Sequence, residues 1–470
     1  MKKIKSFALV MLIIALLPFS KGIDAHLMNN DSSYFSLKKS LQENNQLVFN
    51  SSLDEAIAQF MLEGHIPSLA ASVVYKDKII WSKGYGEHSD ENVAFMIGSI
   101  TKTITATALL QLYERGMFEL DEDVSKYLPF SLRNPNYPNT PITFRLLLSH
   151  QSSLQRGGEL YRSYVYNDLN QKLGITNETL PAFPAWLDDV ILSPEAQNTS
   201  KIWAIYFAPG EKQARLAYSN LGYDLLGYLV ERLSNQTIEE YFKSNIFNPL
   251  NMTNTYYTYQ SYPSDKVAFP HEWIPDEVNV EDYPTDDNKN HNLPIFNLDE
   301  LGAGALRSTT IDLAHFLIAH MNNGKYQNNR ILTKESINLM HDESQVYYGN
   351  RLHDSYGFGW INDKIFTVQI EGEHSTHFLQ GHSGRVLGFN SLMFFNQDTK
   401  IGVILFLNQG FNYVPEFDNQ WDIFDILYKE GLLFRKLSSS NASGFSLVLS
   451  SLTIILYVIF IKYRRKGSTE

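Results

Sequence analysis

A serine and a lysine three residues apart, Ser99 and Lys102, are the residues whose types and spacing could do chemistry. They stand at the start of an apolar stretch with helical spacing that ends at Gly116, so both side chains should share one face of a buried helix. An amine within reach of a serine hydroxyl can accept its proton and make it a nucleophile. Ser36 and Lys39 repeat the spacing in a polar segment. The apolar context therefore favours Ser99.

Two later groups could complete such a site. Tyr218 and Asn220 precede an apolar helix and offer a phenol and an amide in one loop, although Tyr-x-Asn strings also occur elsewhere in the chain. His382, Ser383 and Gly384 lie on a predicted strand, where the glycine would let a substrate backbone lie close to the strand. The order of the three groups along the chain favours a nucleophilic site more than any one string does.

The predicted elements suggest how these groups could meet. Two β-branched runs, 70–75 and 79–85, predict a hairpin before the Ser99 helix. A helical and loop-rich region, about 120–300, separates this hairpin from a late group of strands. We therefore expect an α+β fold in which early and late strands share one antiparallel sheet flanked by helices, with an inserted mainly helical lobe and a cleft between the lobes. The late strands are predicted at 358–362, 365–370, 376–381, 389–395 and 401–408.

Composition excludes several classes of function. The 470 residues include no cysteine, so a disulfide framework, a thiolate nucleophile and a cysteine-ligated zinc site are ruled out. The net charge of −12 argues against nucleic acid as a partner. Gly302 and Gly304 lack the context of a phosphate loop, and His374 and His377 should point to opposite faces of a strand. No cofactor or metal site is predicted, and His150 is expected to be a buried structural hydrogen-bonding residue.

Both ends of the chain carry targeting patterns. Residues 1–25 resemble a secretory signal peptide, and 26–50 form a polar lead-in to the main globular domain at 51–435. Residues 444–461 are apolar and uncharged, and the basic tail 462–470 follows them. These patterns predict one C-terminal transmembrane helix and a single-pass membrane protein with its main domain outside the cytoplasm, typical of a bacterial envelope protein.

Beyond the three motifs, the chain resembles serine β-lactamases of the class C type and the related penicillin-binding proteins, esterases and D-aminopeptidases. The resemblance runs from about residue 52 to 412 and implies the β-lactamase/D,D-peptidase fold. The further matching stretches are LLLSHQSSL at 146–154, FAPGEKQARLAYSNLGYDLLGYLVERLS at 207–234, YFKSNIFNPLNMTNT at 241–255, GAGALRSTTIDLAHFL at 302–317, YGFGW at 356–360 and GHSGRVLGFNSLMFF at 381–395.

This resemblance implies a role for each motif residue. Ser99 would be the nucleophile of an acyl-enzyme that water later hydrolyses, and Lys102 and Tyr218 would share the general-base and general-acid work, with either one as the base. Asn220 would hydrogen-bond the substrate amide or the lysine. The backbone N–H groups of Ser99 and Arg385 would bind the oxyanion.

One departure from the family bears on the substrate. Many β-lactamases and D,D-peptidases carry Lys-Thr-Gly where this chain has His382, Ser383 and Gly384. A histidine is mostly neutral at pH 7, so recognition of a substrate carboxylate is weakened. This favours esters or amides of D-alanyl or other D-amino-acid groups, either in small molecules or in peptidoglycan or teichoic acid.

Four alternatives stay open at this point. Arg385 could restore a positive charge, which would suit a D,D-carboxypeptidase or a β-lactamase. A peptidase that removes a D-amino-acid cap from a prodrug would use the same residues. A penicillin-binding surface sensor would still bind ligands in the cleft but would not catalyse their hydrolysis.

Overall fold

The computed structural model describes nine stretches of the chain, all inside one compact unit that spans residues 49–470. The predicted signal peptide, polar lead-in, transmembrane segment and basic tail lie outside these stretches, as does 155–217. The domain boundaries given above therefore stay predictions. The described residues are 51–154, 218–258, 262–273, 290–293, 295–298, 300–342, 356–370, 373–410 and 419–439.

Helices and strands alternate in groups along the described part of the chain. The helices are α1 (Ser51–Glu63), α2 (Thr101–Glu114), α3 (Phe144–Leu148), α4 (Asn220–Ser234), α5 (Ile238–Phe242), α6 (Thr310–Met321), α7 (Lys334–Met340) and α8 (Asn419–Ser439). The strands are β1 (Ser68–Tyr75), β2 (Lys78–Gly86), β3 (Phe95–Met96), β4 (His271–Trp273), β5 (Asn290–Asn292), β6 (Arg307–Ser308), β7 (Lys325–Tyr326), β8 (Asn329–Arg330), β9 (Ile361–Ile370), β10 (Glu373–Val386), β11 (Phe389–Asn396) and β12 (Ile401–Leu407).

The central element is a six-stranded antiparallel sheet in the order β2-β1-β12-β11-β10-β9. Its early and late parts meet where β1 pairs with β12, from Leu69 opposite Leu407 to Tyr75 opposite Ile401. The predicted hairpin before the Ser99 helix is β1 and β2. The sequence prediction that both ends of the domain build one antiparallel sheet is confirmed.

Both faces of the sheet are covered, which explains why the inner strands have almost no polar positions. Ala71, Val73 and Leu405 pack in one cluster with apolar residues of α1 and α8. Their neighbours Ala70 and Phe406 point the other way and join a second cluster with residues of α2, α4 and α6. Successive strand residues face opposite sides, so a continuous apolar strand is stable only between two layers of helices.

The late strands differ from the prediction in their bounds. The two strands predicted at 358–362 and 365–370 form the single strand β9, which begins just after a turn at Gly359, whose φ is +79°. Strand β10 runs on to Val386 and thereby carries the predicted His-Ser-Gly group. The region predicted to be helical and loop-rich, about 120–300, also contributes the short strand pair β4 and β5.

The predicted C-terminal transmembrane helix needs correction. No helix in the described stretches is long and apolar enough to cross a membrane. The longest of them, α8, has 21 residues but includes Asp422, Asp425 and Glu430, and it packs against the sheet. Residues 444–461 themselves lie outside the described stretches. The single-pass membrane location, and the extracytoplasmic placement derived from it, are withdrawn with the helix.

The two-sided sheet makes a prediction about stability. Leu405 is fully buried between the layers, and Leu62 is 72 % exposed on α1. We expect Leu405→Ala to lower the free energy of unfolding by about 2–5 kcal/mol, because it removes buried methyl groups and leaves a cavity. The control Leu62→Ala should change it by less than about 0.5 kcal/mol. Urea denaturation of both variants tests this, and equal effects would contradict the layered packing.

Candidate active site

The predicted nucleophile lies on a short 3₁₀ turn, Gly98–Ile100, that leads directly into α2. Lys102 sits in the first turn of α2 and is fully buried. Its Nζ donates to Ser99 Oγ at 3.1 Å and to the backbone carbonyl of Ala303 at 2.7 Å. The apolar sequence of α2 explains this burial, because every residue from Thr101 to Leu112 is inside the protein. The helix thus places an amine against a hydroxyl, away from bulk water.

Two glycines bring β10 against this turn. Gly98 has a φ of +50°, and a Cβ on it would lie 2.8 Å from the backbone nitrogen of Arg385. A Cβ on Gly384 would lie 2.0 Å from the carbonyl oxygen of Ile97. The sequence predicted that Gly384 makes room for a substrate, whereas the structure shows that it makes room for the protein's own turn. Arg385 therefore has its backbone beside the residue that precedes Ser99.

The Tyr218 loop reaches the same place from a remote part of the sequence. Ser219 caps α4 by accepting a hydrogen bond from the Gly222 N–H at 2.9 Å, and its own N–H donates to His150 Nδ1 at 3.1 Å. The centroid of the Tyr218 ring lies 5.0 Å from Lys102 Nζ and 4.3 Å from the centroid of the His150 ring. A cation and an aromatic face at such a distance attract one another.

His382 lies next to Tyr218, with the centroids of the two rings 6.3 Å apart. Its Nδ1 is 2.6 Å from the carbonyl oxygen of Ser383, so Nδ1 carries the hydrogen. Its Nε2 is 2.9 Å from Tyr356 Oη and accepts the phenol hydrogen. Burial, and then the nearby Lys102, lower the pKa of His382 to about 3. The imidazole is therefore neutral and fixed in one tautomer.

Two further rings near Lys102, those of His150 and Tyr223, are neutral as well. Burial lowers the pKa of His150 well below 6.5, and Lys102 and His382 lower it further. Burial raises the pKa of the Tyr223 phenol well above 10, with the nearby Tyr218 as a smaller cause. The prediction that His150 is a buried hydrogen-bonding residue agrees with its contacts, although it lies beside the site rather than far from it.

Asn220 occupies the first position of α4, and its Nδ2 donates to both carboxylate oxygens of Glu300, at 3.1 and 3.2 Å. Sequence reasoning missed Glu300, Tyr356 and the Ala303 carbonyl. Every residue has a backbone carbonyl, so the residue type cannot indicate that the carbonyl of Ala303 belongs to the site. The available signal for Glu300 was its place just before the Gly302-Ala-Gly304 turn.

The structure thus brings together most of the predicted site residues from three separate stretches. Ser99 and the Tyr218 ring both lie beside the Lys102 amine, the His382 ring lies beside Tyr218, and Asn220 contacts Glu300. The Ser383 and Arg385 side chains are exposed, in contrast to the buried His382 and Gly384. The catalytic and binding roles of these residues stay predictions.

A Ser-x-x-Lys pair with a buried lysine at the start of a helix, against strand β10 of an antiparallel sheet between helical layers, defines a class. This protein is a serine hydrolase of the β-lactamase and penicillin-binding protein type. The family model described as Beta-lactamase matches residues 53–428, and the chain belongs to that family.

Similar proteins come from distant organisms. The chain is 25 % identical over 422 residues to protein flp of Staphylococcus aureus (strain N315), which covers 88 % of this chain and 74 % of that protein. It is 28 % identical over 374 residues to beta-lactamase-like protein 2 of Dictyostelium discoideum, covering 75 % of this chain and 58 % of that one.

Solved structures show the same fold. The octameric penicillin-binding protein homologue from Pyrococcus abyssi has a TM-score of 0.60 and 26 % identity, covering 82 % of this chain and 78 % of that chain. A D-amino acid amidase from Ochrobactrum anthropi SV3, complexed with L-phenylalanine amide, has a TM-score of 0.59 and 19 % identity, covering 82 % and 100 %. These similarities confirm the α+β fold with its antiparallel sheet.

The neutral state of His382 predicts a pH dependence. Because its folded pKa is about 3, below the ordinary 6.5, its NMR ring signals should not shift between pH 8 and pH 5. The unfolded chain binds a proton first, so this residue's contribution to stability is complete above about pH 6.5 and is lost as the pH falls toward 3. A His382→Gln variant assigns the signal and should lower the proton uptake on unfolding at pH 5 by about one. A titration midpoint near 6.5 would contradict the buried neutral ring.

Proposed function

We propose that this protein hydrolyses esters or amides of D-amino acids through an acyl-enzyme formed on Ser99. The observation that carries the proposal is the contact of 3.1 Å between Ser99 Oγ and the buried Lys102 Nζ, with the Tyr218 ring beside the same amine. A serine hydroxyl is a weak nucleophile unless a neighbouring base takes its proton. The resemblance to D-aminopeptidases and the similarity to a D-amino acid amidase motivate the D-amino-acid class of substrate.

In the proposed reaction the Lys102 amine and the Tyr218 phenol share the proton transfer. One of them accepts the Ser99 proton while Oγ attacks the substrate carbonyl carbon, and the proton then passes to the leaving alcohol or amine. The backbone N–H groups of Ser99 and Arg385 hold the oxyanion, an interaction that can contribute about 3 kcal/mol to the transition state. Water attacks the ester carbonyl in the second half, and the proton returns to Ser99 Oγ.

The neutral His382 limits which substrates fit. A lysine in its place would offer a permanent cation to a substrate carboxylate. In this ring, by contrast, both nitrogens are already hydrogen-bonded, to the Ser383 carbonyl and to the Tyr356 phenol. Its low pKa keeps it uncharged at any ordinary pH. Substrates without a carboxylate next to the scissile bond are therefore favoured, such as D-alanyl esters of the teichoic-acid type or D-amino-acid amides.

One observation favours a second candidate, D,D-carboxypeptidase or β-lactamase activity. The Arg385 side chain is exposed on β10, one residue beyond Gly384, and a guanidinium can bind a carboxylate in a bidentate manner. This candidate uses the same nucleophile and differs in the group that leaves. A substrate pair that differs by one carboxylate separates it from the main proposal.

The nucleophile can be tested by covalent labelling. A fluorescent fluorophosphonate should label the wild type, and Ser99→Ala should abolish labelling and lower hydrolysis by at least about 1,000-fold, because the acyl-enzyme cannot form. The matched control is Ser36→Ala, which removes the other Ser-x-x-Lys serine and should change neither result. If no acylating probe gives a Ser99-dependent adduct, the proposal fails and a ligand-binding sensor is favoured.

Carboxylate recognition is tested with N-acetyl-D-Ala-D-Ala and the same peptide as its C-terminal amide. We expect the wild type to hydrolyse the amide form at least as well as the acid, and His382→Lys to raise the acid-to-amide ratio of kcat/KM by about tenfold. Arg385→Gln should leave the wild-type ratio unchanged. A wild-type preference for the acid above about tenfold, lost in Arg385→Gln, would instead support the carboxypeptidase candidate.

A further inference from the structure

Glu300 is a buried carboxylate that no predicted role explains. Only 6 % of the residue is exposed, and its side chain accepts from Asn220 through both oxygens. Burying a carboxylate is costly unless it is well hydrogen-bonded, so a purely structural residue at this place would more often be uncharged. The position of Glu300 next to Asn220 therefore indicates a functional role in the active site.

The pairing fixes the orientation of the Asn220 amide. A carboxylate can only accept hydrogen bonds, so the atom facing Glu300 must be Nδ2. Asn220 Oδ1 then points away from Glu300. This oxygen is buried and has no hydrogen-bond partner among the described residues. A buried acceptor without a partner is unfavourable, and only a group that donates a hydrogen bond satisfies it.

The same turn ties Glu300 to the nucleophile. Its carbonyl oxygen accepts from the N–H groups of Ala303, Gly304 and Ala305, which shapes the turn whose Ala303 carbonyl holds Lys102. The point where a Cβ on Gly304 would stand lies 2.9 Å from Glu300 Oε2 and 3.9 Å from the carbonyl carbon of Gly98, the residue before Ser99. The carboxylate thus lies near the residue that precedes Ser99, and the Asn220 amide contacts that carboxylate.

We propose that Glu300 is a positioning residue that sets the specificity of the site. Its carboxylate holds the Asn220 amide so that Oδ1 is offered to the substrate, which selects acyl groups whose α-nitrogen bears a hydrogen. An α-amino or acylamino group satisfies the oxygen, and an acyl group with an ether or ester oxygen at that position leaves it unpaired. The inference rests on the proposed function, because it concerns the acyl group bound to Ser99.

The experiment compares two p-nitrophenyl esters that differ in one atom. N-acetyl-D-alanyl ester has an α-N–H, and O-acetyl-D-lactyl ester has oxygen in its place. We expect the wild type to prefer the alanyl ester by at least about tenfold in kcat/KM. In Glu300→Gln the glutamine amide can offer Asn220 either its oxygen or its NH₂ group, so the Asn220 amide is free to turn over. The ratio of kcat/KM for the alanyl ester to that for the lactyl ester should therefore fall toward one. Glu335→Gln, an exposed acid on α7, is the matched charge control and should keep the wild-type preference.

Each outcome has a separate meaning. If neither ester is hydrolysed and no Ser99-dependent adduct forms, the proposed function itself has failed. If both esters are hydrolysed through Ser99 without a wild-type preference, the specificity role of Glu300 is wrong. An equal loss on both esters in Glu300→Gln also overturns it, because Glu300 would then act on Lys102 through the Ala303 turn. Should Glu300→Gln not fold, as judged by thermal unfolding, Asn220→Ala removes the same acceptor and must likewise abolish the preference.

Discussion

The fully buried amine of Lys102 is the constraint on which the rest of this site depends. A buried amine is tolerated only where its hydrogens find acceptors, and here these are the Ser99 hydroxyl and the Ala303 carbonyl. The rings of Tyr218 and Tyr223 lie 5.0 and 5.7 Å from the same nitrogen and add the attraction of aromatic faces. Moving any of these groups would leave the amine without part of its environment. The hydrogen bonds and ring contacts of this one lysine therefore join segments that are far apart in the sequence.

This amine also determines the charge of its neighbours. It lowers the pKa values of His150 and His382 beyond the effect of burial, so both rings stay neutral beside it. A second cation at the place of His382 would have to be stabilised by other groups. In this chain a phenol and a carbonyl fill the hydrogen-bonding positions of the ring instead. The proposed substrate preference rests on this neutral ring, whose pKa Lys102 helps to lower.

Sequence reasoning succeeded and failed for identifiable reasons. The sheet was predictable because its strands are continuous β-branched and aromatic runs. The bend at Gly359 was missed because one glycine conformation decides it. The transmembrane prediction rested on an apolar run in 444–461, and no helix among the described residues meets the length and apolarity it requires.

The sequence by itself determined the local chemistry, since Ser99 and Lys102 are three residues apart and a helix brings such neighbours together whatever the rest of the chain does. Only the tertiary structure decided which partners complete the site. The Ala303 carbonyl is 201 residues from Lys102, and Glu300 is 80 residues from Asn220. Such contacts depend on how the sheet and the helical layers pack, and neither hydrophobic period nor motif spacing contains that information. A backbone carbonyl is invisible in a residue type, and the direction of an asparagine amide exists only once its partner is in place.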